Sequence, residues 1–126
     1  MKWVILIVVV LAGYVRLAPS DPVRWHRAVE GDADRIGEGS VLRLAAVDMA
    51  ALDQVARDWP RTSVLAGSVA EGRVTYLTRS AFWGFPDYTT VETRPDGVAI
   101  YARLRFGRRD FGVNGKRVAG WLDALQ

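Results

Sequence analysis

Val98 to Asn114 reads VAIYARLRFGRRDFGVN, and the alternation inside it decides the fold. Val98, Ile100, Ala102, Leu104 and Phe106 fall on one face of a strand, with Ala99, Tyr101, Arg103 and Arg105 on the other, because successive strand side chains point opposite ways. One face is core and the other carries guanidinium groups. The strand then runs into Gly107, Arg108, Arg109, Asp110, Phe111 and Gly112, a turn with charges of both signs between two glycines, where a site is expected. From Asn114, read as an N-cap, to Leu125 the stripe Val118, Trp121, Leu122 and Leu125 predicts a helix.

Upstream, Tyr88 to Arg94 (YTTVETR) is a partner strand, joined through the turn residues Pro95, Asp96 and Gly97. If Pro95 and Asp96 form the turn, Val91 faces Ile100 and Thr93 faces Val98. A three-residue turn sets Glu92 opposite Ile100 instead. The first register is preferred because it keeps apolar partners on one side. Thr62 to Val69 and Arg73 to Phe82 form a hairpin around Ala70, Glu71 and Gly72. Asp48 caps a helix from Met49 to Trp59, which Pro60 ends, and Ser40 to Ala46 is a further strand. The order β-α-β-β-β-β-α predicts an α+β domain over residues 40–126, with an antiparallel sheet of about five strands and two helices on one face.

Residues 3–15 (WVILIVVVLAGYV) carry no charge, and the apolar run reaches residue 18 if Arg16 extends toward the interface. Trp3 and Tyr14 stand near its ends, where aromatic rings prefer the lipid boundary. An uncleaved signal anchor over residues 1–18 is preferred to a cleaved signal peptide, since no A-x-A site follows and Pro19 is a poor residue beyond a scissile bond. Arg16, Arg24 and Arg27 after the run, against Lys2 before it, taken alone keep the domain in the cytoplasm; the very short tail ahead of the run favours export. The expected location is the inner membrane, single-pass, with the domain in the periplasm. Residues 19–39, with two prolines, three glycines and many charges, read as a juxtamembrane linker carrying Trp25 and a solvated His26.

Half of the 126 residues are hydrophobic, enough for the core of one small domain. The net charge of +3 conceals an uneven division: residues 30–58 carry three basic and seven acidic side chains, whereas 59–126 carry ten and six. Arginines interleaved with acids make no dense tract of the kind that tracks phosphates, so nucleic acid is not an expected partner. With no cysteine and His26 as the only histidine, neither a thiolate site nor a paired-histidine metal site is expected, and no cofactor is implied. No phosphate-binding glycine loop and no G-x-S-x-G elbow occurs.

Two segments, TRSAFWGFPDY (78–88) and RFGRRDFGVNGKRV (105–118), resemble the bacterial and plastid family catalogued as domain of unknown function 1499. The likeness extends over about residues 40–125. Its pattern pairs R-S-R-x-F-G-F-x-D with S-R-x-G-x-S-D-x-G-V-N-x-x-R-V. Arg79, Ser80, Phe82, Gly84, Phe85 and Asp87 match the first part; Arg105, Gly107, Asp110, Gly112, Val113, Asn114, Arg117 and Val118 match the second. Ala81 stands where the family commonly has arginine, and Leu104 and Arg109 where it has serines. The resemblance implies an exported or lipid-anchored protein and brings no activity with it.

The candidate ligand-binding residues are Arg79, Asp87, Arg105, Asp110, Asn114 and Arg117, expected to converge at one sheet end where arginines can hold a carboxylate or phosphate. A purely structural role stands beside this: Asp110 accepting turn N–H groups, Asn114 capping, and Arg79 or Arg105 pairing with an aspartate. The preferred function is a non-catalytic envelope domain binding a small anionic or amphipathic ligand, a lipid or a protein partner. The alternative is a hydrolase or transferase with Asp87 or Asp110 as general base and Arg79 or Arg105 steadying an oxyanion.

Overall fold

A computed structural model describes residues 1–126. Six strands form one antiparallel sheet: β1 (Arg35–Ile36), β2 (Ser40–Ala45), β3 (Thr62–Ser68), β4 (Arg73–Arg79), β5 (Pro86–Arg94) and β6 (Gly97–Leu104), in the order β1-β2-β6-β5-β4-β3. The expected count of about five is corrected by β1, two exposed residues that pair with Val41 and Leu42. The β5–β6 turn takes the preferred register, with Val91 opposite Ile100 and Thr93 opposite Val98.

The short α1 (Lys2–Leu17) and α2 (Pro22–Trp25) precede the sheet; α3 (Met49–Asp58) and α4 (Val113–Asp123) pack together on one face of it. Asp48 caps α3 as the sequence indicates, accepting from the Ala51 N–H at 3.0 Å. Because β2 sits beside β6 and β3 at the far edge, α3 crosses the sheet between them, and its Met49, Leu52 and Ala56 meet Val118, Trp121 and Leu122 of α4. Val98, Ile100 and Ala102 complete this core from below, so the apolar half of the β6 alternation faces the helices.

Gly97 is where backbone meets backbone. Its φ is +148°, and a β-carbon added there lies 2.0 Å from the Ala45 carbonyl oxygen of the next strand. Gly97→Ala is expected to cost about 3 kcal/mol through left-handed strain and overpacking, read as a lowered urea midpoint. A change under about 0.5 kcal/mol would contradict this register at the turn.

The opposite face is covered by residues 18–34, most of them in the stretch 19–39 expected to be a linker. Trp25 stacks on Tyr88 with ring centroids 4.0 Å apart, and Val29 is buried against Leu42 and Ala99. Arg94 donates to the Val29 and Gly31 carbonyls at 2.8 and 3.0 Å, and the Leu44 N–H donates to Asp34. His26, expected to be solvated, instead lies 2.8 Å from the Thr75 hydroxyl, and burial followed by the nearby Arg73 charge lowers its pKa. This segment is a strap on the domain, fixed by its isolated aromatic and aliphatic side chains.

The expectation that the N-terminal apolar segment spans a membrane is also corrected. α1 has 16 residues, about 24 Å at the usual helical rise against a hydrocarbon core of about 30 Å, and no helix of the structure is long and apolar enough to cross a membrane. None of its residues is buried.

Candidate functional site

Asp87 enters at the start of β5 opposite Leu104, which places it on the helix side of the sheet. Arg117, one turn into α4 and 7% exposed, reaches it from above, with Nη2 donating to Asp87 Oδ2 at 3.0 Å. Its Nη1 donates to Asn114 Oδ1 at 2.6 Å. Asn114 Nδ2 in turn donates to Asp110 Oδ2 at 2.8 Å, so the four side chains form one hydrogen-bonded chain from the sheet to the turn.

Asp110 does the capping that the sequence assigned to Asn114. Its carboxylate accepts from the Gly112 N–H at 2.9 Å and the Asn114 N–H at 3.1 Å, and α4 begins from Gly112 in the left-handed conformation. Asn114 is fully buried inside the first turn and bridges Asp110 to Arg117. Burial pushes the Asp87 carboxyl above its ordinary range, opposed by the hydrogen bond and charge of Arg117. Desolvation therefore outweighs the partner, as happens when an ion pair is taken out of water.

The two remaining candidates do not join this hydrogen-bonded chain. Arg105 turns to the strap side, donating to the Pro19 carbonyl at 2.8 Å and the Tyr88 hydroxyl at 3.1 Å. Its expected convergence with the aspartates is corrected by parity: Asp87 pairs with Leu104, so the next residue points to the opposite face. Arg79 ties the 80–84 turn by donating to the Gly84 carbonyl at 2.9 Å, and it also borders the cleft described next. Neither arginine pairs with an aspartate.

An open cleft of about 540 Å³ lies between the end of the sheet, the Trp59–Arg61 bend and the 107–113 turn, within the range that small ligands occupy. Asp87, Asp110 and Arg117 line it, and so do residues the sequence reading did not single out as site residues: Arg61, Arg109 and Lys116 supply further cations, and Trp59 an apolar wall. Phe85 and Phe111 add rings. A second cavity of about 570 Å³ flanks the same turn and shares Arg109, Asp110, Phe111 and Lys116. Arg61 gave no signal in sequence, because it follows a proline at a helix end and reaches the cleft only through the fold, with φ +54°. No group of three or more His, Cys, Asp or Glu side chains is placed to hold a metal ion.

These features define an α+β domain whose sheet end, helix α4 and charged turn enclose one cation-rich cleft. The family model described as Protein of unknown function (DUF1499) matches residues 15–125, and the chain belongs to that family. The match takes in the strap as well as the sheet and helices. No curated protein and no solved structure matches the chain.

Proposed function

We propose that the protein is a non-catalytic binding domain for a small anionic, amphipathic molecule, held at the exported face of an inner membrane with α1 as its apolar contact. The charge balance of the cleft carries this reading. Arg61, Arg109 and Lys116 line it together with the rings of Phe85 and Phe111, while its two carboxylates are already held by Arg117 and by the start of α4. A carboxylate or phosphate head beside the cations, with an alkyl tail over the rings, fits that surface.

One observation favours an enzyme instead: Asp87 borders an open cleft with its pKa raised, as a general base often does. The groups needed beside it argue against that reading. Arg117 is committed to Asp87 and Asn114, Arg79 to a carbonyl and Arg105 to the other face, so none of these three guanidiniums is free to steady an oxyanion.

A dansylated fatty acid, titrated against the full chain with the uncharged dansyl amide as control, tests the reading. The double substitution Arg109→Glu, Lys116→Glu should weaken binding by about tenfold or more, because two attractive charges become repulsive. The melting temperature should stay unchanged, since both side chains are exposed. Equal affinity of the charge-reversed chain would sink the proposal.

A further inference from the structure

The folded domain carries an exposed aromatic collar of its own, separate from the cleft interior. Two loops expose aromatic rings that no core residue covers: Phe82 is 73% and Phe111 86% exposed. Phe111 also sits at φ +53°, an uncommon conformation for a bulky residue. Phe82 meets Trp83 edge to face with centroids 4.9 Å apart.

These rings are continuous with α1. Arg16 donates to the Phe82 and Trp83 carbonyls, Tyr14 packs edge-on to Phe106 at 6.0 Å, and Val8, Leu11, Ala12 and Val15 share an apolar groove with Trp83 and Phe85. Phe85, Phe106 and Phe111 then carry the apolar border on to the cleft mouth, where Arg109 and Lys116 stand. An apolar surface this extended, made of a helix with no buried residue and a loop collar at its foot, marks a contact with something other than water.

We propose that this collar docks on an anionic lipid surface, with Phe82, Trp83 and Phe111 entering the same bilayer interface as α1 while Arg109 and Lys116 meet the headgroups and Arg16 ties α1 to the collar. The inference deepens the membrane half of the reading above and rests on it. Aromatic rings and basic side chains at the foot of an apolar helix are the composition that favours the interfacial zone. A second copy of the chain suits the surface less well, since it would bring the same cations face to face.

The chain has no cysteine, so single labelled positions are clean reporters. Full-length Val8→Cys, Phe82→Cys, Phe111→Cys and Ala51→Cys, each carrying a nitrobenzoxadiazole label, are mixed with phosphatidylglycerol/phosphatidylcholine vesicles containing a shallow nitroxide lipid. Labels at 8, 82 and 111 should shift to the blue and be quenched. The label at 51, on the first turn of α3 away from the collar, should not. Pure phosphatidylcholine should bind about tenfold or more weakly, given two cations near the surface. Labels at 82 and 111 that behave like the one at 51, while that at 8 is quenched, would show the domain hanging clear of the lipid and overturn the collar. If the label at 8 also stays unquenched, the membrane attachment itself fails. Energy transfer between copies labelled at 82, without lipid quenching, would assign the surface to a second copy and overturn the proposal as well.

Discussion

Arg117→Met is expected to lower the unfolding free energy by about 3–5 kcal/mol, because it leaves a buried carboxylate without its cation. Arg117 is 7% exposed and the Asp87 side chain 14%, so water from the cleft replaces the lost partner only in part. Asn114, fully buried, loses the donor to its Oδ1 at the same time. The double variant Asp87→Asn, Arg117→Met removes both charges and should be markedly less destabilised than the sum of the two single changes, the signature of direct coupling.

The single variant should also acquire a distinctive pH dependence. Burial already raises the Asp87 pKa against the opposing effect of Arg117, and deleting that arginine raises it further. The folded state then holds a proton at pH values where the unfolded chain has released it. Stability is greatest below the unfolded carboxylate pKa of about 3.9, falls as pH rises through the folded pKa, and is flat above it. Urea denaturation should therefore show a smaller deficit near pH 4 than near pH 7. A deficit that is the same at both, or below about 1 kcal/mol, would mean that Asp87 finds another partner.

Tyr88→Ala is expected to cost a comparable amount, about 3–5 kcal/mol, and to release the strap. Tyr88 is fully buried, its ring lies under Trp25, and its hydroxyl joins the Ser20 hydroxyl at 2.6 Å and an N–H of Arg105. Nearby, Arg103 donates to the Trp25 carbonyl and, at 2.9 Å, to the Thr90 hydroxyl, and burial lowers its pKa to about 10. Trypsin sites at Arg24 and Arg27 report directly on whether residues 18–34 lie down. Cleavage there should accelerate by about tenfold or more in the alanine variant, because local opening follows the stability of the packed unit. Tyr88→Phe, which keeps the ring and deletes the hydroxyl, should cost only about 1 kcal/mol. Equal proteolysis of wild type and Tyr88→Ala would show that the strap does not depend on this stack.

The β6 alternation, the Pro95–Asp96 turn and the Asp48 cap were legible because each is a local pattern whose physics is complete within a few residues. β1 was not: two exposed residues cannot display a period, and their pairing depends on β2 being in place. The strap was hidden for a related reason. Trp25, His26 and Val29 are single contacts spaced without rhythm among prolines and charges, so composition alone reads as a tether. Asp87, Asp110, Asn114 and Arg117 did come together as expected, whereas Arg105 did not. The alternation had already placed Arg105 opposite the core, and the register of β5 against β6 assigns Asp87 to the core side. Of the exposed cations of the cleft, Lys116 follows the 107–113 turn directly in sequence, whereas Arg61 approaches it only through the fold, which no single segment could reveal.

The most direct test of the binding reading is native mass spectrometry of the full chain, drawn gently from the membrane of a cell that expresses it. The expected spectrum carries an adduct of a few hundred daltons, acidic and partly alkyl on fragmentation, that is absent from the Arg109→Glu, Lys116→Glu chain prepared in the same way. A bare chain mass from wild type, or the same adduct retained by the charge-reversed chain, would contradict it.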